Sequence, residues 1–168
     1  MRFALDGVPA FALGSYEGVL RRAVVAMKRG ERDPLAAFAT LLAAAPLDGT
    51  LVPLPTSRAR AAARGFDQAV ELARRVARER GVPLAEPLVK RGRAQEGGGR
   101  RARLAATGRF RIRAGVPLPA EVTLLDDVCT TGATLRDAAC TLRAAGVVVR
   151  RIVVVARSAG TPSSPRRS

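Results

Sequence analysis

The chain has 168 residues, a formal net charge of +15 and no histidine, and most of its basic residues are arginines. This length predicts a single domain whose core is large enough to fold without disulfides. With two cysteines and no histidine, the sequence excludes a zinc site built from the usual ligands and any reaction that needs an imidazole base.

The sequence also bears on where the protein resides. Its N-terminus lacks a basic start followed by a long apolar block, and no apolar run is long enough to span a bilayer. Cys129 and Cys140 lie close together in the chain, one in a loop and one in a helix, which disfavours a structural disulfide. We therefore expect a cytoplasmic protein with no membrane partner.

The N-terminal part of the chain predicts two helices. Residues 1–14 are apolar and interrupted by glycine and proline, which indicates a short strand or a covering segment. A helix is predicted over 16–29, because apolar residues recur there at helical spacing and a glycine follows. A second helix is predicted from Asp33 and Pro34 to the residue before Pro46.

The middle of the chain predicts a strand, a loop and a helix, followed by a hairpin. Residues 50–54 indicate a buried strand, and an amphipathic helix is predicted over 67–81. Residues 82–89 and 108–112 predict two strands that pair as a hairpin. The tip of this hairpin, over 92–103, is rich in glycine and arginine and has no periodicity, which is typical of a surface loop.

The stretch over 121–135 carries the clearest chemistry. An apolar strand ends in Asp126 and Asp127, passes through hydroxyl and glycine residues, and leads into a helix. The backbone N–H groups of residues 131–134 have no acceptor within that helix and lie at the positive end of its dipole, which suits a phosphate. The two carboxylates would repel a phosphate unless they face sugar hydroxyls or a cation. The pattern predicts a sugar phosphate as ligand; the alternative is an ordinary connection in which Asp and Thr only cap the helix.

The last strand completes the predicted fold. Residues 147–156 are almost all Val and Ile, as in a parallel strand covered on both faces, and residues 158–168 predict a disordered basic tail. The repeated strand–helix units predict an α/β fold with a mainly parallel sheet flanked by helices and with ligand loops at the carboxyl ends of the strands. We expect one domain over 1–157, in which 1–46 form an N-terminal helical hood or flanking helices and 50–157 form the core.

Residues 121–135 resemble the phosphoribosyl-pyrophosphate (PRPP) signature of type I phosphoribosyltransferases, an apolar strand followed by two acidic residues and a Thr-Thr-Gly-x-Thr loop. The resemblance implies a type I phosphoribosyltransferase-like fold with PRPP as its ligand. It implies that Asp126 and Asp127, the catalytic pair, contact the ribose 2′- and 3′-hydroxyls. It places the 5′-phosphate against Thr130, Thr131, Gly132, Ala133 and Thr134.

Two further loops fit the same resemblance. In this superfamily the loop after the first core strand holds the pyrophosphate, and arginine is suited to that contact because its guanidinium can bind a phosphate through two hydrogen bonds. The implied pyrophosphate contacts are Pro55, Thr56, Ser57, Arg58, Arg60 and Arg64. The long hairpin tip resembles a flexible lid over the diphosphate, and the alternative is a basic disordered loop without that role. The implied lid contacts are Lys90, Arg91, Gln95 and Arg103.

A narrower resemblance is to the ComF family of this superfamily. Val-Pro-Leu-Pro over 52–55 and Arg-Gly-Phe-Asp-Gln-Ala over 64–69 are similar to two motifs of that family. Lys28 also falls where the family carries a lysine before a glycine, although its place in the last turn of a helix is explained by the helix dipole alone. Ala105 departs from the family pattern, which has an asparagine there. Many members begin with a cysteine-rich zinc module that is missing here, either because this is a short branch of the family or because the chain start has been placed late, so no metal module is carried over from the family.

These residues lead to two functional predictions. The first is a phosphoribosyltransferase of nucleotide metabolism, in which a nitrogen nucleophile attacks ribose C1 as pyrophosphate leaves. The cofactor is Mg²⁺, which binds PRPP and has no direct ligand from the protein. The second is a non-catalytic PRPP-binding or single-stranded-DNA-associated protein of natural competence, which the net charge of +15 favours. The sequence does not identify the acceptor, and a homodimer is compatible with either function.

Overall fold

The computed structural model describes residues 1–56, 67–91 and 108–158. The predicted hairpin tip over 92–103 lies outside these residues, and so does the predicted tail after residue 158. No helix in the described part of the chain is long and apolar enough to cross a membrane. In chain order the elements are β1 (Arg2–Leu5), β2 (Val8–Ser15), α1 (Gly18–Lys28), α2 (Arg32–Ala43), β3 (Thr50–Pro53), α3 (Gln68–Arg80), β4 (Leu88–Lys90), β5 (Phe110–Ile112), β6 (Glu121–Cys129), α4 (Ala133–Ala144) and β7 (Val148–Arg157).

A five-stranded sheet with the order β1-β2-β7-β6-β3 forms the centre of the protein. The strands β2, β7, β6 and β3 run parallel to one another, and β1 pairs with β2 in the antiparallel direction at one edge. A separate antiparallel pair consists of β4 and β5. The predicted α/β fold with a mainly parallel sheet is therefore confirmed. Because β3 and β6 are parallel neighbours, the loops that follow them meet at the same edge of the sheet.

The sheet is covered on both faces. On one face, α4 and the β4–β5 pair pack against buried residues that include Leu124 and Ile152. On the other face, α1, α2 and α3 pack against residues that include Leu125 and Val153. Successive residues of the central strands therefore point into different layers. This arrangement explains the apolar run over 152–156 in β7, which is buried on both sides.

The N-terminal residues correct part of the predicted hood. Residues 2–15 form the β1–β2 hairpin, and β2 lies inside the sheet, parallel to β7. Ala10 and Ala12 face the α4 layer, whereas Phe11 and Leu13 face the α1–α3 layer. A strand covered on both faces has no polar side to mark it, which is why the sequence left a covering segment open as an alternative. The helices α1 and α2 flank the sheet on one face.

One predicted strand is much shorter in the structure. The segment over 82–89 is a strand only at its end, where β4 begins at Leu88. Further upstream, Leu84 makes an isolated parallel bridge to Leu51. Prolines at positions 83 and 87 flank this bridge and have no N–H group to donate, so a regular ladder cannot continue through them.

Gly49, which precedes β3, occupies a position that only glycine fits. Its φ is +67°, and a Cβ atom there would overlap the carbonyl oxygen of Glu121 at the start of β6. We expect Gly49→Ala to lower the free energy of unfolding by more than about 2 kcal/mol, because steric overlap adds to the strain of the left-handed backbone. Chemical denaturation at neutral pH measures this change.

Gly81→Ala is the matched control for this prediction. Gly81 ends α3 with a φ of +69°, but a Cβ atom there would meet open space. The control variant therefore reports the backbone strain alone, which we expect to cost about 1 kcal/mol. Equal losses of stability in the two variants would contradict a steric requirement at Gly49.

Candidate functional site

A cleft of about 200 Å³ opens at the carboxyl ends of β3 and β6. Its walls come from the last turn of α1, the loop after β3 with the start of α3, the end of β4, and the end of β6 with the first turn of α4. The residues that line it are Lys28, Leu54, Pro55, Thr56, Asp67, Gln68, Ala69, Lys90, Asp126, Asp127, Val128 and Thr134. The structure thus brings together the predicted site residues Pro55, Thr56, Lys90, Asp126, Asp127 and Thr134.

Asp126 and Asp127 both line this cleft, although neighbours on a regular strand point to opposite faces. The alternation shifts by one residue across the pair, because Leu125 and Val128 both pack against the α1–α3 layer. The Asp127 N–H donates to Asp126 Oδ1 at 2.8 Å, and the Val128 N–H donates to Asp127 Oδ1 at 2.6 Å. The side-chain alternation is therefore broken at the acid pair although β6 stays paired with β7 as far as Cys129, so both carboxylates can face one ligand.

The surroundings of the acid pair shift the pKa of Asp126. Burial raises the pKa of Asp126 well above its ordinary value, and the charge of Asp127 raises it further. Lys28 and Lys90 both lower this pKa and so oppose the shift. Lys28 also forms an ion pair with Asp127, with 2.8 Å between Nζ and Oδ2. The acid pair thus has a lysine of α1 in direct contact with one member, while lysines of α1 and β4 both act on the pKa of the other.

The loop between β6 and α4 is the predicted phosphate site. Gly132 is the N-cap of α4 and has a left-handed backbone with a φ of +76°. Beside it, the Thr131 hydroxyl accepts a hydrogen bond from the Ala133 N–H at 3.3 Å. A small hollow next to the main cleft is lined by Asp126, Val128, Cys129, Thr130, Gly132, Ala133, Thr134 and Leu135. A hollow at the N-terminus of a helix is suited to an anion.

The N-terminal hairpin supports this loop from behind. A Cβ atom on Gly132 would come within 2.6 Å of Leu5 Cδ1, so the loop backbone lies directly against β1. Arg136 donates to the carbonyl oxygen of Thr131 at 2.7 Å and forms an ion pair of 3.0 Å with Asp6, between β1 and β2. These contacts hold the loop in place without a ligand. The sequence patterns did not predict this support.

Asp67 closes the loop after β3. Its Oδ2 accepts a hydrogen bond from the Thr56 N–H at 2.7 Å, and its Oδ1 accepts from the N–H groups of Ala69 and Val70 at 3.2 and 3.5 Å. One carboxylate therefore joins the two ends of the loop and caps α3. The other predicted pyrophosphate contacts lie outside the described residues; they are Ser57, Arg58, Arg60 and Arg64.

The structure describes two of the four predicted lid residues, and only one of these two lines the cleft. Lys90, at the end of β4, lines the cleft. Arg91 is exposed, and its backbone N–H donates to the carbonyl oxygen of Arg109 at 2.8 Å, which extends the β4–β5 pairing. Gln95 and Arg103 lie outside the described residues.

Two cations at the site were not among the predicted ligands. Lys28 lies in the cleft, and Arg109 Nη1 donates to Thr134 Oγ1 at 3.0 Å beside the phosphate loop. A signal for Lys28 was available, because Lys28 and Lys90 are the only lysines among 29 basic residues, and both line the cleft. Arg109 had no comparable signal, since it is one of many arginines in the chain.

The described residues do not form a permanent metal site by themselves. They contain no group of three or more Asp, Glu, Cys or His side chains that could hold an ion. In addition, Asp127 is already paired with Lys28.

No protein-family model matches the chain, and no curated protein matches it. Similar solved structures include the allosteric regulatory enzyme of purine biosynthesis, with 19% identity over 89% of this chain and 27% of that chain and a TM-score of 0.49. This chain therefore spans about a quarter of that protein.

Two smaller proteins are also similar in structure. Orotate phosphoribosyltransferase from Aeropyrum pernix is 18% identical, with 93% of this chain and 73% of that chain covered and a TM-score of 0.47. The second is adenine phosphoribosyl transferase from Trypanosoma brucei in complex with AMP, pyrophosphate and ribose-5-phosphate. It is 14% identical, the match covers 95% of this chain and 90% of that chain, and the TM-score is 0.47. Likenesses this distant carry no information about substrates.

We expect Asp126→Asn to stabilise the protein at neutral pH. Because the folded-state pKa of Asp126 is raised above the ordinary value of 3.8, ionisation of this carboxyl costs stability as the pH rises through the folded-state pKa. The amide keeps the acceptor for the Asp127 N–H and removes the charge. Thermal denaturation should show a gain in Tm of about 3 °C near pH 8 that fades towards pH 4.

Asp33→Asn, in the first turn of α2, is the control because Asp33 is exposed and remote from the cleft. It should show no gain in Tm that grows with pH. A gain for Asp126→Asn that is the same at every pH would contradict a raised pKa.

Proposed function

We propose that this chain is a phosphoribosyltransferase that binds PRPP with Mg²⁺ and transfers its phosphoribosyl group to an unidentified acceptor. One observation carries the proposal: the acid pair and the loop at the start of α4 line adjoining parts of one cleft at the edge of a parallel sheet. Carboxylates beside amide donors suit a ligand that presents both hydroxyls and phosphate. PRPP has this character, because its ribose hydroxyls lie between two phosphate-bearing ends.

Each part of the cleft has a role in this proposal. The N–H groups and hydroxyls of residues 130–134 bind the 5′-phosphate, and Arg109, which contacts Thr134, adds a cation there. Asp126 and Asp127 accept hydrogen bonds from the ribose hydroxyls. The pyrophosphate contacts are Pro55, Thr56, Ser57, Arg58, Arg60 and Arg64, and the lid contributes Lys90, Arg91, Gln95 and Arg103.

The reaction needs no nucleophile from the protein. The lone pair of an acceptor nitrogen forms a bond to ribose C1 while the bond from C1 to the pyrophosphate oxygen breaks. The pyrophosphate keeps the bonding electron pair, and the proton of the acceptor nitrogen passes to solvent. Carboxylates beside the sugar stabilise the positive charge that develops there, and cations stabilise the leaving group. Such a mechanism is compatible with a chain that contains no histidine.

Mg²⁺ belongs to the substrate in this proposal. Bound to the diphosphate, it neutralises part of the charge of the leaving group. The chain's own task is to hold the sugar and the phosphates in a fixed orientation, for which the supported loop and the acid pair are suited.

The narrower assignment is to the ComF family, acting in the cytoplasm. It is supported by the Val-Pro-Leu-Pro motif over 52–55 and the motif over 64–69. The first motif leads into the cleft, and the second includes Asp67, the N-cap of α3. A homodimer remains part of this proposal as a state to be measured by sedimentation.

A second candidate function is favoured by a different observation. The exposed face of α1 carries Arg21, Arg22 and Arg29 around an open hollow of about 590 Å³. A cluster of guanidinium groups suits a polyanion. This surface supports the alternative of a non-catalytic PRPP-binding protein that associates with single-stranded DNA in competence.

We expect the purified protein to release pyrophosphate from PRPP and Mg²⁺ when the correct base is supplied. Joint substitution of Asp126→Asn and Asp127→Asn should lower kcat/KM at least about 100-fold, because the sugar loses both charged acceptors that stabilise the transition state. A coupled pyrophosphate assay with a panel of purine and pyrimidine bases measures the rate.

The matched control is Glu31→Gln with Asp33→Asn, which removes two exposed carboxylates near the start of α2. It should leave the rate within about twofold of the unchanged protein. Absence of heat on titration with PRPP and Mg²⁺ would contradict the proposed ligand. Salt-sensitive binding of single-stranded DNA that survives the loss of both site aspartates, without pyrophosphate release, would favour the second candidate.

A further inference from the structure

We propose that Lys28 is a positioning residue of this cleft. It directs the Asp127 carboxylate towards the sugar and, together with Lys90, balances the negative charge of the acid pair. The inference rests on the proposed PRPP-binding function of the same site. It gives α1, which carries none of the predicted ligands, a direct role in ligand binding.

Contacts of both the side chain and the backbone hold Lys28 in place. Its Nζ lies 2.8 Å from Asp127 Oδ2, and the two side chains are only 31% and 20% exposed. Its carbonyl oxygen accepts a hydrogen bond from Gln68 Nε2 at 3.4 Å, which links the end of α1 to the start of α3. The preceding residue, Met27, is fully buried in the α1–α3 layer. The ammonium group is therefore held at the acid pair without a ligand.

The occurrence of lysine at this position is itself informative. All basic residues of the chain are arginines except Lys28 and Lys90, and these two lie in one cleft. An ammonium group is compact and can donate in three directions, whereas a guanidinium group is larger and planar. In a chain that otherwise uses arginine throughout, two lysines that converge on one acid pair point to a need for compact cations there.

The charge balance of the cleft shows what these cations do. Its described lining includes three carboxylates, Asp67, Asp126 and Asp127, and two cations, Lys28 and Lys90. Asp67 already accepts hydrogen bonds from three backbone N–H groups. The two carboxylates of the acid pair are thus matched by two lysines. Loss of Lys28 would leave an uncompensated negative charge facing a phosphorylated ligand, which lowers the affinity of the cleft for it.

Loss of Lys28 would also change the protonation of the acid pair. Lys28 and Lys90, from α1 and β4, lower the pKa of Asp126, whereas Asp127 on the same strand raises it. Without Lys28 the pKa of Asp126 should therefore rise further. A protonated carboxyl at this position is a poorer acceptor for a ribose hydroxyl.

The small number of lysines allows a first test without any substitution. An amine-reactive reagent can modify Lys28, Lys90 and the terminal amine of Met1, and mass spectrometry separates the three sites. We expect PRPP with Mg²⁺ to slow the modification of both lysines severalfold and to leave Met1 unchanged. Unchanged modification of Lys28 at a PRPP concentration that saturates the protein would overturn the inference.

Substitution provides the second test. We expect Lys28→Met to weaken PRPP binding about tenfold, as for the loss of one hydrogen bond to a charged group, and to raise the pKa of Asp126. Calorimetry measures the binding, and carbon NMR of the Asp126 carboxyl measures the pKa. The control is Arg143→Met, which removes an exposed cation in the last turn of α4 and should change neither. Equal effects of the two substitutions would refute a specific role for Lys28.

Lys28→Arg separates charge from position. It keeps the cation and should preserve the titration of Asp126, but its larger head group should still weaken PRPP binding. Full PRPP affinity in this variant would refute the need for a compact cation. The carboxyl titration requires no ligand, so it tests whether Lys28 acts on the acid pair even if the unchanged protein does not bind PRPP. Failure of the unchanged protein to bind PRPP would refute the proposed function and not the role of Lys28.

Discussion

Two carboxylates lie side by side at the end of a buried strand, and the arrangement of the cleft depends on how their repulsion is relieved. Burial and a neighbouring negative charge both favour the protonated form of a carboxyl group. The protein opposes this with a lysine from α1 and another from β4, and with backbone N–H groups that donate to each carboxylate. These groups offset only part of the rise, and the pKa of Asp126 stays above its ordinary value in a cleft that remains accessible to a ligand.

The same constraint explains how the surrounding elements are used. The parallel sheet brings the loops after β3 and β6 to one edge, but it does not fix their conformations. The β1–β2 hairpin supports the phosphate loop through Leu5 and through the ion pair of Asp6 with Arg136 of α4. The helix α1 supports the acid pair through Lys28. Three residues among the first 28, namely Leu5, Asp6 and Lys28, thus support the two halves of the cleft. A site that is held in place before binding loses less entropy when a ligand enters.

Local patterns allowed most of the core, and part of the site, to be predicted from the sequence. The apolar run of β7 and the end of α3 at Gly81 follow from residue types next to one another in the chain. The contact of Lys28 with Asp127 could not be predicted in this way, because it joins residues about a hundred positions apart. The same holds for Leu5 against Gly132. The strand β2 escaped a firm prediction because both of its faces are apolar.

The Thr131 hydroxyl accepts from the Ala133 N–H at the start of α4, but the geometry argues against the alternative that the acid pair also only caps this helix. A capping carboxylate should accept from the first N–H groups of α4, as Asp67 does for α3. Instead, the N-cap of α4 is Gly132, which has no side chain, and Asp126 and Asp127 accept from N–H groups of their own strand. A half-buried aspartate with a raised pKa costs stability at neutral pH and contributes nothing to the helix. Local arrangements that reduce stability in this way are typical of binding sites, and this favours a ligand at the acid pair over a purely structural role.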